Sequence, residues 1–97
     1  MGSKIMIDLE TVVVRSGAVL DASVGDETVL MSMETGTYYA LKVTSRAIWD
    51  RLATPMRVRD LCAELADAYR APPETVEADT LAFLNYLEAH QMIERQA

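Results

Sequence analysis

Side chains that could act as nucleophiles or metal ligands are few in this chain of 97 residues. It contains one histidine, His90, and one cysteine, Cys62. A zinc site needs three or four converging His, Cys or carboxylate ligands, and neither residue has a second His or Cys near it in the sequence. A Cys62–His90 nucleophile pair stays open as an alternative, but no sequence feature supports it. The sequence therefore predicts no catalytic residue, no metal site and no cofactor.

Structural roles account for these residues. Cys62 lies in an apolar, helix-like stretch, which is typical of a buried thiol that behaves as a small hydrophobic side chain. His90 lies near the end of a predicted helix, where an imidazole interacts favourably with the helix dipole. Ser32 and Ser45 have no base close to them in the sequence, and no glycine-rich loop that could hold a phosphate is present. These observations argue against an enzyme.

The carboxylates argue against nucleic acid as a partner. The net charge is −6, which repels a phosphate backbone. A helix that reads DNA should carry Lys, Arg, Asn or Gln. The last predicted helix, residues 74–90, contains four acidic residues and no Lys or Arg. A protein segment with basic charge fits this chain better than DNA does.

Length and composition predict one small globular domain. The chain is 51% hydrophobic and 25% charged, which is ordinary for a folded protein. The single cysteine excludes an internal disulfide, and no apolar run approaches the length of a signal peptide or membrane span. We expect a cytoplasmic protein with a domain over residues 10–95 and a flexible N-terminus over residues 1–9. Gly2-Ser3 are compatible with a cloning remnant and receive no weight.

The first 43 residues have the periodicity of strands. Residues 11–15 predict the first strand, and residues 18–20 either extend it or begin a separate one. Residues 28–33 and 37–43 predict the second and third strands. Between them, Glu34-Thr35-Gly36 form a tight connection in which the glycine can take a positive φ. The last two strands therefore form a hairpin.

Strand periodicity divides the third predicted strand into a core-facing side and an open side. The core-facing side carries Tyr39, Leu41 and Val43. The open side carries Tyr38, Ala40 and Lys42.

The second half of the chain has helical periodicity. Thr44 or Ser45 is expected to cap a first helix, which ends at Thr54-Pro55. A second helix is predicted over residues 58–69 and a third over residues 74–90, where Pro73 suits the first turn. The core-facing stripe of the third helix is Val76, Thr80, Phe83, Leu84 and Leu87. Met92 and Ile93 form an apolar tail that either pairs with a strand or covers the core.

The order of these elements predicts an α+β fold. A three-stranded antiparallel sheet followed by three helices is the content of a winged helix-turn-helix. An exposed strand edge in such a fold offers unpaired N–H and C=O groups to which another chain can add a strand.

Two blocks of the sequence resemble the PqqD family. Residues 33–49 are similar to the family pattern of a glycine turn, Tyr-x-Leu-Asn and Ile-Trp. Residues 76–87 are similar to its Asp-Val-x-x-Phe-Leu-x-x-Leu helix. The resemblance covers residues 10–94. Three departures are Lys42 where asparagine is usual, Gln91 where glycine is usual and Thr80 where valine is more common.

The resemblance implies a recognition domain that binds the leader of a ribosomally made precursor peptide. The leader would add a strand to the third strand and lie in a groove beside the third helix. The implied strand residues are Thr37, Tyr38, Tyr39, Ala40 and Leu41. The implied helix residues are Val76, Asp79, Thr80, Phe83, Leu84 and Leu87. Of these, Asp79 is implied to accept a hydrogen bond from a donor group of the leader. The alternative is that Asp79 is only a surface carboxylate or makes a contact within the helix.

The resemblance also implies partners. A free-standing protein of this size is similar to the recognition half of a split lasso-peptide maturation protein. Its partners would be the precursor leader, the cysteine protease half that removes the leader, and the ring-forming cyclase. The alternative within the family is a chaperone that presents a precursor to a radical enzyme in pyrroloquinoline quinone biosynthesis. A DNA-binding regulator or a dimerisation module remains the alternative from another class.

Overall fold

The computed structural model describes residues 6–96. Their elements are β1 (Val12–Arg15), β2 (Val19–Val24), β3 (Glu27–Ser32), β4 (Tyr38–Leu41), α1 (Val43–Arg51), β5 (Met56–Arg57), α2 (Val58–Tyr69), α3 (Pro73–Ala89) and β6 (Ile93–Arg95). The strands form two antiparallel sheets with the orders β2–β3–β4 and β5–β1–β6. The predicted α+β class, with a three-stranded antiparallel sheet and three helices, is confirmed.

The β2–β3–β4 sheet is built from two consecutive hairpins. In β3 and β4, Leu30 pairs with Tyr39 and Thr28 pairs with Leu41. The connection between these strands contains Gly36 at φ 73°, and the Gly36 N–H donates to the Ser32 carbonyl at 2.7 Å. A positive φ is what only glycine adopts at no steric cost, so the predicted glycine turn is confirmed.

The composition of the sheets differs in one respect from the sequence prediction. The first predicted strand, β1, does not join β2–β3–β4 but pairs with β5 and β6. Residues 19 and 20 belong instead to a separate strand, β2, which was one of the two stated alternatives, and Ala18 lies in the turn before it. The apolar tail also pairs with a strand, because Ile93 lies opposite Arg15. The strands β5 and β6 are two and three residues long, too short to show a periodicity.

The start of α1 corrects a second expectation. The N-cap is Lys42, with extended backbone at φ −92° and ψ 178°, and its carbonyl accepts the Arg46 N–H at 2.8 Å. Thr44 and Ser45, predicted as caps, lie inside the first turn. Val43, predicted on the core-facing side of the strand, is the first helical residue and is 77% exposed. Strand alternation no longer applies where the chain turns into a helix.

We expect Lys42→Asn to stabilise the protein. The Lys42 side chain makes no capping hydrogen bond, so N–H groups of the first turn lack the acceptor that asparagine would provide. The expected gain in the free energy of unfolding is about 1 kcal/mol, measured by urea denaturation. Lys42→Ala is the control, because it removes the lysine without adding a cap. A Lys42→Asn protein no more stable than Lys42→Ala would contradict the explanation.

The end of α3 forms a Schellman motif around Gln91. The Met92 N–H donates to the Leu87 carbonyl at 2.8 Å, and the Gln91 N–H donates to the Glu88 carbonyl at 3.0 Å. Gln91 has φ 60°, the left-handed conformation in which glycine is usual. Met92 and Leu87 are both fully buried, which gives the motif its hydrophobic contact.

Gln91→Gly is expected to raise the free energy of unfolding by about 1 kcal/mol, because a left-handed φ costs a residue with a Cβ about that much. Thermal or urea unfolding of the two proteins measures the difference. Gln91→Ala serves as the comparison, since it shortens the side chain but keeps the Cβ. Equal stabilisation by glycine and alanine would show that the backbone conformation is not the cause.

The core lies where the helices, β1 and the inner side of β3 meet. Trp49 is buried, its indole Nε1 donates to Asp21 Oδ2 at 3.2 Å, and the Arg15 guanidinium lies 4.8 Å from the ring centroid. These contacts join α1 to both sheets. Ile7, which precedes the predicted domain start at residue 10, is also buried, and its N–H donates to Asn85 Oδ1 at 3.0 Å. Residues 1–5, including Gly2-Ser3, lie outside the described residues.

Candidate functional site

The outer edge of β4 is free of pairing within the described residues, because β4 is the last strand in the order β2–β3–β4. In an antiparallel pair, alternate residues direct their N–H and C=O groups toward the partner strand. The Ser32 N–H donates to the Thr37 carbonyl at 2.9 Å, so Thr37, Tyr39 and Leu41 face β3. The backbone groups of Tyr38 and Ala40 therefore point outward, two N–H donors and two C=O acceptors in all.

A groove of about 450 Å³ lies beside this strand. Its walls come from β4, the first two turns of α1, the C-terminal half of α2, the loop after α2 and the first three turns of α3. It is lined by Tyr39, Thr44, Ser45, Ile48, Leu65, Tyr69, Ala71, Thr75, Val76, Asp79, Thr80 and Phe83. The free edge and the groove thus meet along one strand, at Tyr39.

Apolar side chains form the floor of the groove, and polar groups border it. Ile48 and Leu65 are buried beneath it, while Val76 and Phe83 are half-buried and reach its surface. Asp79 is exposed on the same side of α3, one helical turn from Phe83. Apolar residues with a few polar groups at the border are typical of a binding site rather than a solvated surface.

Aromatic rings continue from the groove along α3. Tyr39 of β4 contacts Phe83 and Tyr86, with ring centroids 5.5 Å and 5.1 Å apart. The His90 ring lies 4.4 Å from Tyr86, at the C-terminal end of α3. Tilted pairs of this kind are worth about 0.5–1.5 kcal/mol beyond the area that they bury. They fix the position of β4 relative to α3 and hence the width of the groove.

The residues expected at the site occupy three kinds of position. Those that line the groove are Tyr39, Val76, Asp79, Thr80 and Phe83. Tyr38 and Ala40 are exposed at the free edge, and Thr37 is half-buried just before β4. Leu41, Leu84 and Leu87 are buried in the core, so they support the groove from beneath without lining it.

Seven lining residues were not predicted. They are Thr44, Ser45, Ile48, Leu65, Tyr69, Ala71 and Thr75. Most of them belong to α1 and α2, which the helical periodicity identifies only as core elements. Tyr69 and Ala71 could have been predicted from the sequence. They lie at the end of α2 and in the loop that leads into α3, and such connecting segments often contribute to binding sites.

Among residues 6–96, no cluster of three or more His, Cys, Asp or Glu side chains could hold a metal ion. Cys62 is buried, and this burial raises the pKa of its thiol, an effect that the nearby Thr80 side chain only partly offsets. A thiol with a raised pKa is a poor nucleophile.

No helix among residues 6–96 is long and apolar enough to cross a membrane.

The family model described as Coenzyme PQQ synthesis protein D (PqqD) matches residues 27–93, from the first residue of β3 to that of β6. The chain belongs to the PqqD family. The matched region includes both β4 and α3, so the free edge and the groove lie in the PqqD part of the chain. The family resemblance identified in the sequence is confirmed.

A solved structure adds a second comparison to the PqqD match. The chain is similar to TbiB1, which was solved in complex with the TbiA(beta) leader peptide. The two are 32% identical over 87% of this chain and 98% of TbiB1, with a TM-score of 0.75. Such a score means that the order and packing of the elements are shared. A search of curated proteins found no match.

Proposed function

We propose that this protein binds the leader of a ribosomally made precursor peptide, without catalysing bond chemistry itself. The leader adds a strand to β4 and directs alternate side chains into the groove against α3. The main observation behind the proposal is that the free edge of β4 lies next to an apolar groove that Tyr39 of the same strand lines. Strand addition needs both, because the backbone provides affinity and the groove provides sequence preference. The similarity to TbiB1, which was solved with a leader peptide bound, supports a leader as the ligand.

The energetics show what the groove must contribute. Micromolar affinity requires about 8 kcal/mol net. Four backbone hydrogen bonds at Tyr38 and Ala40 supply about 1 kcal/mol each. Burial of two or three apolar leader side chains supplies about 1.5–3 kcal/mol each, part of which is lost in ordering the leader. The apolar contacts at Val76 and Phe83 therefore carry more of the binding than the strand edge.

The charge of α3 favours a leader with basic residues. Glu74, Glu77 and Asp79 lie in the N-terminal half of α3, where Asp79 lines the groove, and the chain has a net charge of −6. Lasso-peptide leaders often begin with lysines, so we favour lasso-peptide maturation in the cytoplasm. The partners are then the cysteine protease half of the split maturation protein and the ring-forming enzyme. Charge pairing of this kind mainly sets the encounter rate and the register.

The PqqD description of the family favours one second candidate. In that case the protein presents its precursor to a radical enzyme of pyrroloquinoline quinone biosynthesis. Both candidates share a mechanism, in which the bound leader raises the effective concentration of the attached core peptide near a docked enzyme. They differ in which precursor binds, and titration with each precursor distinguishes them.

Calorimetric titration with the leader of the precursor encoded beside this protein tests the proposal. The expected result is one-to-one binding with a micromolar or lower Kd. Gel filtration with and without the leader should show a monomer in both samples. No binding to any neighbouring precursor, together with self-association through the β4 edge, would replace the proposal with a dimerisation module.

Tyr38→Ala and Asp79→Ala are expected to weaken leader binding by about three- to tenfold. The Tyr38 side chain would lie beside a side chain of the added strand on the outer side of the sheet, and Asp79 borders the groove, so each loss removes one contact worth about 1 kcal/mol. Folding should change by less than about 0.5 kcal/mol, because both side chains are exposed, Tyr38 at 69%. Titration and urea unfolding measure the two effects. Val43→Ala is the matched control, an exposed apolar residue outside the groove lining. A loss of stability as large as the loss of binding would contradict these roles.

A further inference from the structure

The two sides of the β2–β3–β4 sheet differ from the usual distribution of polar and apolar side chains. An antiparallel sheet with one solvated side normally alternates apolar-in and polar-out. In β3 the buried side carries Thr28, Leu30 and Ser32, so two of its three side chains are polar. The opposite side of the same strand carries Glu27, Val29 and Met31, so one of its three side chains is polar. The side away from the core is therefore the more apolar one.

The register extends this pattern over all three strands. Directly paired residues share a side of the sheet. One row is Leu20, Met31 and Tyr38, and the next is Ala22, Val29 and Ala40. We call these six residues the outer face. None is charged or strongly polar, and Leu20 and Tyr38 are 52% and 69% exposed.

The outer face continues toward the β2–β3 turn. Val24 lies on the same side, paired with Glu27, and is 66% exposed. A contiguous exposed apolar patch bordered by polar residues is one feature of an interaction surface. The leader groove lies on the other side of the sheet, under Tyr39, so the outer face is a separate surface. The two surfaces share only β4.

The size of the outer face indicates which occupant fits. Three strands spaced about 4.8 Å apart and five residues long cover roughly 240 Å². A stable interface buries about 800 Å² on each partner. Two copies of this chain meeting only through their outer faces would fall well short of that. The occupant must therefore also contact the border of the face.

The border is predominantly acidic. Asp26 and Glu27 lie at the β2–β3 turn, and Glu34 lies in the β3–β4 connection at the opposite end. Lys42, which follows Leu41 opposite Thr28, is a basic residue at the same end of the sheet as Glu27. With a net charge of −6 on each chain, a second copy would also be repelled. An apolar surface bordered by Lys and Arg is complementary to this arrangement.

We infer that the outer face docks an enzyme that processes the bound precursor, through an apolar surface bordered by basic residues. The inference rests on the proposed function, because leader capture has an effect only if an enzyme is held nearby. The surface is placed for this role. Tyr38 belongs to the outer face and to the free edge at which the leader would bind, so a docked enzyme lies directly beside the leader.

The probe is the leader protease encoded beside this protein, and the variant is Leu20→Lys/Val24→Lys. Both positions lie on β2, the strand farthest from β4, so leader binding should stay within twofold of wild type. Protease affinity, measured by biolayer interferometry, should fall at least twentyfold because two cations oppose a basic border. Met6→Lys is the matched control, an apolar side chain 66% exposed outside the outer face. It should change neither affinity.

The outcomes separate the two proposals. If Leu20→Lys/Val24→Lys binds the protease as wild type does, or wild type binds no protease, the docking inference is overturned while leader capture stands. If wild type fails to bind the leader, the proposed function itself fails. Sedimentation analysis tests one further outcome. If wild type forms a dimer, and Leu20→Lys/Val24→Lys is a monomer with unchanged protease affinity, the outer face binds a second copy and the docking inference is wrong.

Discussion

Ala40→Pro should nearly abolish leader binding while leaving the protein folded. The Ala40 N–H points to the free edge of β4, so its loss breaks no hydrogen bond to β3. The proline ring removes one donor and fills the space through which an added strand approaches, and proline is tolerated at such edge positions. We expect leader affinity to fall at least fiftyfold, measured by calorimetry, and the free energy of unfolding to fall by less than about 2 kcal/mol.

Tyr39→Pro is the matched control one residue earlier. The Tyr39 N–H faces β3, opposite Leu30, so proline there removes a bond within the sheet. This variant should lose clearly more stability than Ala40→Pro, as judged by urea unfolding. Leader binding by Ala40→Pro at wild-type affinity would rule out strand addition at β4, whatever else the groove does.

Phe83→Ala is expected to weaken both leader binding and folding. Phe83 lines the groove, is half-buried and has its ring 5.5 Å from that of Tyr39. Its loss removes an apolar contact worth about 1.5–3 kcal/mol, which corresponds to a ten- to hundredfold rise in Kd. Because the ring is only half-buried, stability should fall by about 2 kcal/mol rather than by the full core value of 3–5 kcal/mol.

Leu81→Ala separates the two effects of Phe83→Ala. Leu81 is also half-buried on α3 and packs against the core, but it does not line the groove. We expect a comparable loss of stability in urea and an unchanged Kd for the leader. If Leu81→Ala weakens leader binding as much as Phe83→Ala does, the effect comes from general loosening of α3 and not from a groove contact.

The local elements of this protein follow from short-range patterns in the sequence. The apolar repeat over residues 58–69 predicts α2 with the bounds that the structure has, and Pro73 marks the start of α3. Gly36 and its neighbours predict the β3–β4 connection. These predictions succeed because helix and strand periods and the φ of a turn glycine are properties of neighbouring residues. The two sequence blocks identify the PqqD family for the same reason, since each lies within one or two elements.

The helix ends show the limit of local information. Thr44 and Ser45 have good capping side chains, yet α1 begins at Val43 behind an uncapped Lys42. Gln91 has φ 60° although it is not glycine. Lys42 directly follows β4, and Gln91 directly precedes the buried Met92. The pairing of β4 and the burial of Met92 override a local preference worth about 1 kcal/mol.

The sequence by itself determined the class of fold, the helix and hairpin that form the site, and the family. Only the tertiary structure decided that β1 leaves the sheet to pair with β5 and β6, that α1 and α2 complete the groove, and that the outer face is apolar. The physical reason is that periodicity shows which side of an element is buried but not which element covers it. In β3, the alternation of Val29 and Met31 with Thr28, Leu30 and Ser32 does not by itself tell which side is covered. Only the tertiary structure places Val29 and Met31 on the side away from the core.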